Sequence, residues 1–250
     1  MRQSFSINVI GSQTHQLSFS GTIALRVSPD NREQEAVMTL SEELPLLMHS
    51  LYLIAIIAEA MTAALAAGRR SMDWVGVCLL GCVTALGGGS ARDVLLGHHP
   101  LSWVEHPSYL LITGGAALFT IVIARFVYHL RRLFLLLDAI GLVVFTVIGC
   151  NVALALDLPI IIVIASGMIT GCVGGVLRDI LCADIPLLFR SELYATVSVV
   201  AGGIYVIGLS MGLNHDVVMI AAMAIGLILR LLALRFDWSM PKFVYDRDHH

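Results

Sequence analysis

The sequence contains little charge. Only 13% of its 250 residues are charged, about half the share found in an average soluble domain. The formal net charge of −3 gives no basis for binding nucleic acid or a strongly acidic partner. Neither the five cysteines nor the nine histidines have the spacing of a zinc site, so no metal and no cofactor is predicted. The sequence also has no nucleophile–base pair and no nucleotide-binding glycine loop, which argues against an enzyme.

Apolar residues take the place of the missing charge: they make up 58% of the chain, and the mean hydropathy is +0.87. A membrane-spanning helix needs about 20 predominantly apolar residues. Seven segments meet this requirement, at 45–67, 74–96, 108–129, 133–156, 160–182, 193–213 and 216–236. The composition therefore predicts an all-α membrane protein with seven transmembrane helices in the lipid bilayer. Residues 1–43 are polar, lack the pattern of a signal peptide and are predicted to be a flexible tail.

The basic residues indicate an orientation in the membrane. With seven spans, the basic residues of the loops between spans and of the carboxyl tail fall on one side, at Arg69, Arg70, Arg131, Arg132, Arg190, Arg235, Lys242 and Arg247. Basic loops remain in the cytoplasm. The sequence therefore predicts an amino terminus outside the cell and a cytoplasmic carboxyl tail at 238–250.

The chain contains an internal repeat. The segment "GCVTALGGGSARDVLLGHHPL" (81–101) matches "GMITGCVGGVLRDILCADIPL" (167–187) without a gap at an offset of 86, with nine of 21 positions identical. Three crossings return the chain to the opposite side, so the second copy is inverted. We predict a first three-helix repeat at 44–130, a second at 131–214 and a seventh helix at 215–237. Inverted repeats commonly place a binding or conduction site near the bilayer midplane.

Glycines cluster at equivalent places in the two repeats. Gly87, Gly88 and Gly89 lie in the second span, and Gly174 and Gly175 lie in the fifth. Each glycine costs about 1 kcal/mol in a helix interior relative to alanine, so we expect both helices to break there. Freed carbonyls can then act as oxygen ligands for a cation in a protein-lined cavity. The alternative interpretation is that the glycines permit close helix packing.

Four charges follow these glycines at membrane depth: Arg92 and Asp93 in the first repeat, and Arg178 and Asp179 in the second. Charges inside the bilayer are costly and should face the protein interior. Adjacent helical residues point about 100° apart, so we expect each charge to pair with another helix or a broken helix end. The four residues could form a buried ion-pair network or contact substrate directly.

Three further polar residues lie at membrane depth. Glu59 in the first span could bind a proton or cation, or could bond to backbone carbonyls exposed by a helix break. Asp138 and Asn151 both lie in the fourth span. The histidines of one external loop are expected to be solvated rather than to bind metal or sense pH, namely His98, His99 and His106.

The paired "GGGSARD" and "GGVLRD", together with "RSELYATVSVVAGG" and "LRLLALRFDWSMP", resemble the bacterial two-repeat membrane proteins related to the TRIC (trimeric intracellular cation) channels. The resemblance covers residues 45–241. It implies a homotrimer in the bacterial inner membrane, one pore per protomer, kinks at the glycines, and conduction of K⁺ and Na⁺. Val173 departs from the pattern, because it stands where a third glycine could have been. Bacterial relatives are also described as possible glycine transporters.

Two functions therefore remain open from the sequence. A monovalent cation channel fits the paired helix breaks and the acidic groups, whereas a carrier for glycine or another small amino acid fits the same repeats through alternating access. A purely structural bundle would not need duplicated breaks. In either case the predicted pore or substrate residues are Glu59, Gly87, Gly88, Gly89, Arg92, Asp93, Asp138, Asn151, Gly174, Gly175, Arg178 and Asp179.

Overall fold

The computed structural model describes residues 29–126, 129–190, 193–236 and 238, with side chains from Leu46 onward except that of Arg190. Within these residues the chain forms nine α-helices, in agreement with the predicted all-α class. They are α1 (Pro29–Arg69), α2 (Trp74–Leu96), α3 (Ser102–Glu105), α4 (Ser108–Ala124), α5 (Leu130–Ala155), α6 (Ile160–Leu181), α7 (Leu187–Arg190), α8 (Tyr194–Ser210) and α9 (His215–Arg235).

A helix occupies most of each of the seven predicted spans. Among the described residues, five segments are long and apolar enough to cross a bilayer: the Leu46–Arg69 part of α1, and the whole of α2, α5, α6 and α9. The helices α4 and α8 are apolar but have only 17 residues each. Both therefore end several residues before the predicted limits of 129 and 213. The chain is a multi-pass membrane protein.

The amino-terminal part of α1 extends into the segment predicted to be a polar tail. Residues 29–43 have helical backbone. Residues 1–28, and the carboxyl tail apart from Trp238, lie outside the described residues.

Local signals define the ends of several helices. Asp73 precedes α2 and its carboxylate accepts a hydrogen bond from the Gly76 amide, which satisfies one of the free donors at a helix start. The same helix ends at Gly97, whose φ of 67° places it in the left-handed region that glycine tolerates best. Asn214 caps the start of α9 by accepting bonds from the Asp216 and Val217 amides.

Helix α6 lies at the centre of the bundle, in contact with α2, α5 and α8. Helix α9 packs on α5 and α8, and α2 packs on α4. The helices α2 and α6 are related by the 86-residue offset and run antiparallel, because Gly88 lies opposite Thr170 while Gly174 lies opposite Thr84. This is the arrangement that an inverted repeat requires.

Candidate functional site

The two repeat glycine clusters lie where α2 and α6 cross. A Cβ atom built on Gly88 would lie 2.2 Å from the backbone oxygen of Thr170, and one built on Gly174 would lie 2.4 Å from that of Thr84. No side chain fits in either place. The two backbones are therefore in direct contact, and the contact is repeated by the internal symmetry. We call this contact the glycine crossing.

The predicted breaks at these glycines are wrong. The helices α2 and α6 continue without interruption through Gly87–Gly89 and Gly174–Gly175. The physical reason is that a close crossing needs the absence of a side chain, which glycine supplies, and gains van der Waals contact without freeing any carbonyl. The packing interpretation of the glycines is the one that this geometry supports.

The remaining glycines of the two clusters have different surroundings. A Cβ atom on Gly87 would lie 2.6 Å from the Leu177 side chain, again at the α2–α6 contact. On Gly175 it would lie 3.1 Å from the Tyr194 hydroxyl, whereas on Gly89 its nearest neighbour would be 3.8 Å away. Gly89 therefore has room for a methyl group.

Arg178 lies at the centre of a buried charge cluster at one end of the bundle. Its side chain is fully buried, and Nη1 donates to Asp138 Oδ1 at 2.9 Å and to Thr62 Oγ1 at 3.0 Å. Nε donates to Asp179 Oδ1 at 2.8 Å, and Glu59 Oε2 lies 3.9 Å from Nη1. The cluster therefore draws α1, α5 and α6 together around one guanidinium group.

Aromatic and hydroxyl groups complete this Arg178 cluster. Thr62 donates to Glu59 Oε2 at 3.2 Å, and the Tyr194 hydroxyl donates to Asp138 Oδ1 at 3.3 Å. The Arg178 guanidinium lies 4.6 Å from the centre of the Phe134 ring, and that of Arg230 lies 4.7 Å from the Tyr194 ring. Such contacts favour a cation over an aromatic face. The cluster thus combines three carboxylates with two guanidinium groups.

The first repeat forms a smaller cluster at the opposite end of the bundle. Arg92 donates through Nε and Nη2 to Asp93 Oδ1 at 2.8 and 2.7 Å, and His98 Nδ1 lies 3.2 Å from the same oxygen. Arg92 and Asp93 are buried, while the His98 side chain is 43% exposed. All four motif charges are buried, as predicted.

The expectation that the arginine and aspartate of one motif would not pair with each other is wrong in both repeats. Arg92 bonds to Asp93, and Arg178 bonds to Asp179 as well as to other helices. The arginine side chain is long enough to reach back across the 100° that separates neighbouring helical residues.

Asn151 lies apart from both charge clusters. Its Oδ1 accepts a bond from the Tyr205 hydroxyl at 3.0 Å and lies 3.2 Å from His215 Nε2, which ties α5, α8 and α9 together near their ends. The residues that sequence reasoning missed at the Arg178 cluster are Thr62, Phe134, Tyr194 and Arg230. Of these, Arg230 carried a usable signal, because it is an arginine inside the seventh predicted span.

Four buried oxygen atoms of the clusters and the crossing have no hydrogen-bond partner among the described residues. They are Glu59 Oε1 and Asp138 Oδ2 at the Arg178 end, Thr84 Oγ1 at the glycine crossing, and Asp93 Oδ2 at the Arg92 end. Arg178 Nη2 also lacks a hydrogen-bond partner there. A buried acceptor without a partner costs free energy, so these oxygens are available to a ligand that carries positive charge or donates hydrogen bonds.

No group of three or more His, Cys, Asp or Glu side chains that could hold a metal ion occurs within the part of the chain that the structure describes. Three of the cavities among the described residues, of about 410, 340 and 250 Å³, have largely apolar linings that include no residue of the charge clusters.

Fold and site define a duplicated, inverted membrane protein with a buried charge cluster at each end of its central helix pair. A sequence profile for a family described as "Glycine transporter" matches residues 49–125 and 135–210, two segments that begin 86 residues apart. The chain belongs to this family.

The relatives cover most of this chain. The UPF0126 inner membrane protein YadS of Escherichia coli K12 is 35% identical over 81% of this chain and 99% of its own length. A UPF0126 membrane protein of Vibrio cholerae is 39% identical over 79% of this chain and 84% of its own.

Solved structures give the same fold. The TRIC trimeric intracellular cation channel orthologue from Rhodobacter sphaeroides superposes with a TM-score of 0.74 at 35% identity, covering 76% of this chain and 98% of that one. A prokaryotic TRIC channel crystallised in 0.5 M KCl superposes with a TM-score of 0.73 at 29% identity, covering 78% and 99%. The described helices therefore have the TRIC channel fold.

Proposed function

We propose that this chain is a channel for monovalent cations, K⁺ and Na⁺, in the bacterial inner membrane. The observation that carries the proposal is the set of four unpartnered buried oxygens, which lie at both ends of the α2–α6 pair and at the crossing between them. Oxygen atoms are the ligands that alkali cations exchange for water, as they do in other channels. The similarity to TRIC cation channels supports the same conclusion.

The acidic groups of the Arg178 cluster favour a cation over an anion. Three buried carboxyl groups, those of Glu59, Asp138 and Asp179, lie in one cluster with the buried guanidinium groups of Arg178 and Arg230. A low-dielectric environment strengthens the attraction between such a group of carboxylates and a cation. We infer that Glu59 and Asp138, with Asp93 at the other end, provide the acidic positions of the pathway.

The glycine crossing is the barrier in this proposal. The backbones of α2 and α6 touch at Gly88 and Gly174, so an ion can pass between them only after the two helices separate or slide. Thr84 lies at this point and contributes both its backbone oxygen to the contact and an unpartnered hydroxyl oxygen. Conduction would then require a helix movement rather than a break in either helix.

The proposed assembly is a homotrimer with one pathway in each protomer. The name of the R. sphaeroides orthologue describes that protein as trimeric. The proposed orientation has the amino terminus outside and the basic carboxyl tail in the cytoplasm. The other proposed pathway residues are the glycines and arginines of the two repeat motifs, namely Gly87, Gly88, Gly89, Arg92, Gly174, Gly175 and Arg178. Asn151 is not among them, because its hydrogen bonds lie in a separate network with Tyr205 and His215.

The test is ion flux through purified protein. Proteoliposomes loaded with KCl should release K⁺ when the chain is present, and planar bilayers should show discrete openings. Glu59→Gln and Asp138→Asn should each lower K⁺ conductance per assembled protein. Glu105→Gln, which changes an exposed carboxylate in α3, is the matched control and should conduct like the wild type.

Labelled glycine provides the second arm of the experiment, because the family is described as "Glycine transporter". Saturable glycine uptake without discrete current steps would replace the channel proposal by alternating access. Wild-type protein that passes neither K⁺ nor glycine would refute both functions.

A further inference from the structure

The two Arg-Asp motifs end in the same backbone turn. The His98 amide donates to the Asp93 carbonyl at 2.8 Å, and at the equivalent place the Asp184 amide donates to the Asp179 carbonyl at 2.8 Å. Gly97 follows the first motif with a φ of 67°. Ala183 occupies the equivalent position with a φ of 53°. The backbone turn that directly follows each motif is therefore the same in both repeats.

The two aspartates differ in what their second carboxylate oxygen does. Asp179 Oδ2 accepts a hydrogen bond from the Leu187 amide at 2.9 Å, which ties α6 to the start of α7. Asp93 Oδ2 is buried and has no hydrogen-bond partner among the described residues. The first repeat thus keeps the motif without using its carboxylate as a structural tie.

The surroundings of Asp93 suit a ligand that binds weakly. Arg92 donates two hydrogen bonds to Oδ1 of Asp93, so the pair is neutral overall. The other oxygen, Oδ2, is then a single ligand for a cation and lies beside the positive charge of Arg92. Conduction requires sites that attract an ion enough to admit it and hold it weakly enough to release it. His98 contacts the same carboxylate and is half-exposed, so it lies between Asp93 and the surface.

We propose that Asp93 Oδ2 is the oxygen on which a monovalent cation first exchanges its water at the Arg92 end, and that His98 positions and covers this carboxylate. Asp179, its repeat equivalent, is a structural residue that holds α7. This inference rests on the proposed cation-channel function. It assigns a binding role to Asp93 and a structural role to its repeat equivalent, Asp179.

The experiment compares Asp93→Asn with Asp179→Asn, two identical changes at equivalent positions. Asp93→Asn should lower K⁺ flux per assembled protein about tenfold, because it leaves the positive charge of Arg92 unbalanced beside the oxygen that would bind the ion. Its unfolding temperature should also fall, because Arg92 is left buried without its carboxylate. Asp179→Asn should lower the unfolding temperature as well, because it weakens the tie to Leu187 and one partner of Arg178, but its K⁺ flux per assembled protein should stay close to that of the wild type.

A double variant guards against misfolding of Asp93→Asn, since that change leaves Arg92 buried without its carboxylate. Arg92→Met with Asp93→Asn removes both charges together. It should restore stability and leave flux low. Restored flux in the double variant would overturn the inference, because it would show that Asp93 serves only to neutralise Arg92.

A measurement of binding separates this inference from the function on which it rests. The unfolding temperature of the wild type should rise with KCl at constant ionic strength, because a ligand stabilises the state that binds it. The rise should shrink in Asp93→Asn. A wild type that conducts while Asp93→Asn conducts equally well overturns the inference alone. A wild type that neither conducts nor is stabilised by K⁺ overturns both.

Discussion

Replacing Gly88 by alanine tests the glycine crossing directly. The added methyl carbon would lie 2.2 Å from the Thr170 oxygen and 3.2 Å from its carbonyl carbon, well inside van der Waals contact. The obstacle is backbone in a continuous helix, so no side-chain rotation can relieve it. Overpacking of this kind costs about 1–3 kcal/mol, and we expect the upper half of this range.

Helix propensity works in the opposite direction. Alanine is better than glycine in a helix interior by about 1 kcal/mol. The net loss of stability expected for Gly88→Ala is therefore about 1–2 kcal/mol, with a similar loss for Gly174→Ala, whose methyl would lie 2.4 Å from the Thr84 oxygen. A helix that had to break at Gly88 would behave differently, since alanine would then alter flux while assembly survived.

The neighbouring glycine supplies the control. Gly89→Ala makes the same chemical change one position along α2, where the nearest atom to the new methyl is 3.8 Å away at the Arg92 side chain. It should be as stable as the wild type or slightly more stable. Unfolding temperatures in mild detergent, with the assembled fraction measured by size-exclusion chromatography, rank the three proteins. Gly88→Ala that is as stable as Gly89→Ala would refute the crossing as a tight contact.

Three further predictions concern the charge cluster and the topology. Arg178→Met leaves the buried carboxylates around it without their central partner, so it should lower the free energy of unfolding by about 3–5 kcal/mol, measured by thermal unfolding. Adding Asp138→Asn should recover part of this stability, and no recovery would contradict the pairing of Arg178 with Asp138. Tyr194→Phe removes one 3.3 Å hydrogen bond to Asp138 and should cost only about 0.5–1.5 kcal/mol by the same measurement; a larger loss would show that the hydroxyl has a further role. A fluorescent reporter fused after His250 should be active in the cytoplasm, and activity restricted to the outside would reverse the proposed orientation.

The sequence predicts the helices well because membrane spans have a strong local signal. Long apolar runs separated by charges locate the seven long helices to within a few residues over most of their ends. The helices α3 and α7 were not predicted, since a helix of four residues is too short to show any periodicity. The shortened ends of α4 and α8 follow from tertiary context, which hydropathy does not report.

The glycines show the limit of local reasoning. A run such as Gly87–Gly89 lowers helix propensity whether the helix breaks or only approaches another backbone, so the pattern itself does not separate the two outcomes. What decides between them is the position of Thr170, more than 80 residues away in the sequence. The duplication of the motif correctly indicates that α2 and α6 share one role, but the nature of that role depends on their mutual contact.

The residues that surround the two motifs explain why similar motif sequences have different environments. Asp138 in the second repeat has Tyr52 as its equivalent in the first, at the same 86-residue offset. Tyr52 places its ring 5.0 Å from that of Tyr109, where Asp138 accepts a bond from Tyr194. Glu59 has no acidic equivalent either, because Phe145 stands at its offset position. The carboxylates therefore gather at the Arg178 end, whereas Asp93 at the Arg92 end has no acidic neighbour in the described contacts. Because no neighbouring carboxylate can replace Asp93, the loss of one carboxylate should lower flux most at the Arg92 end.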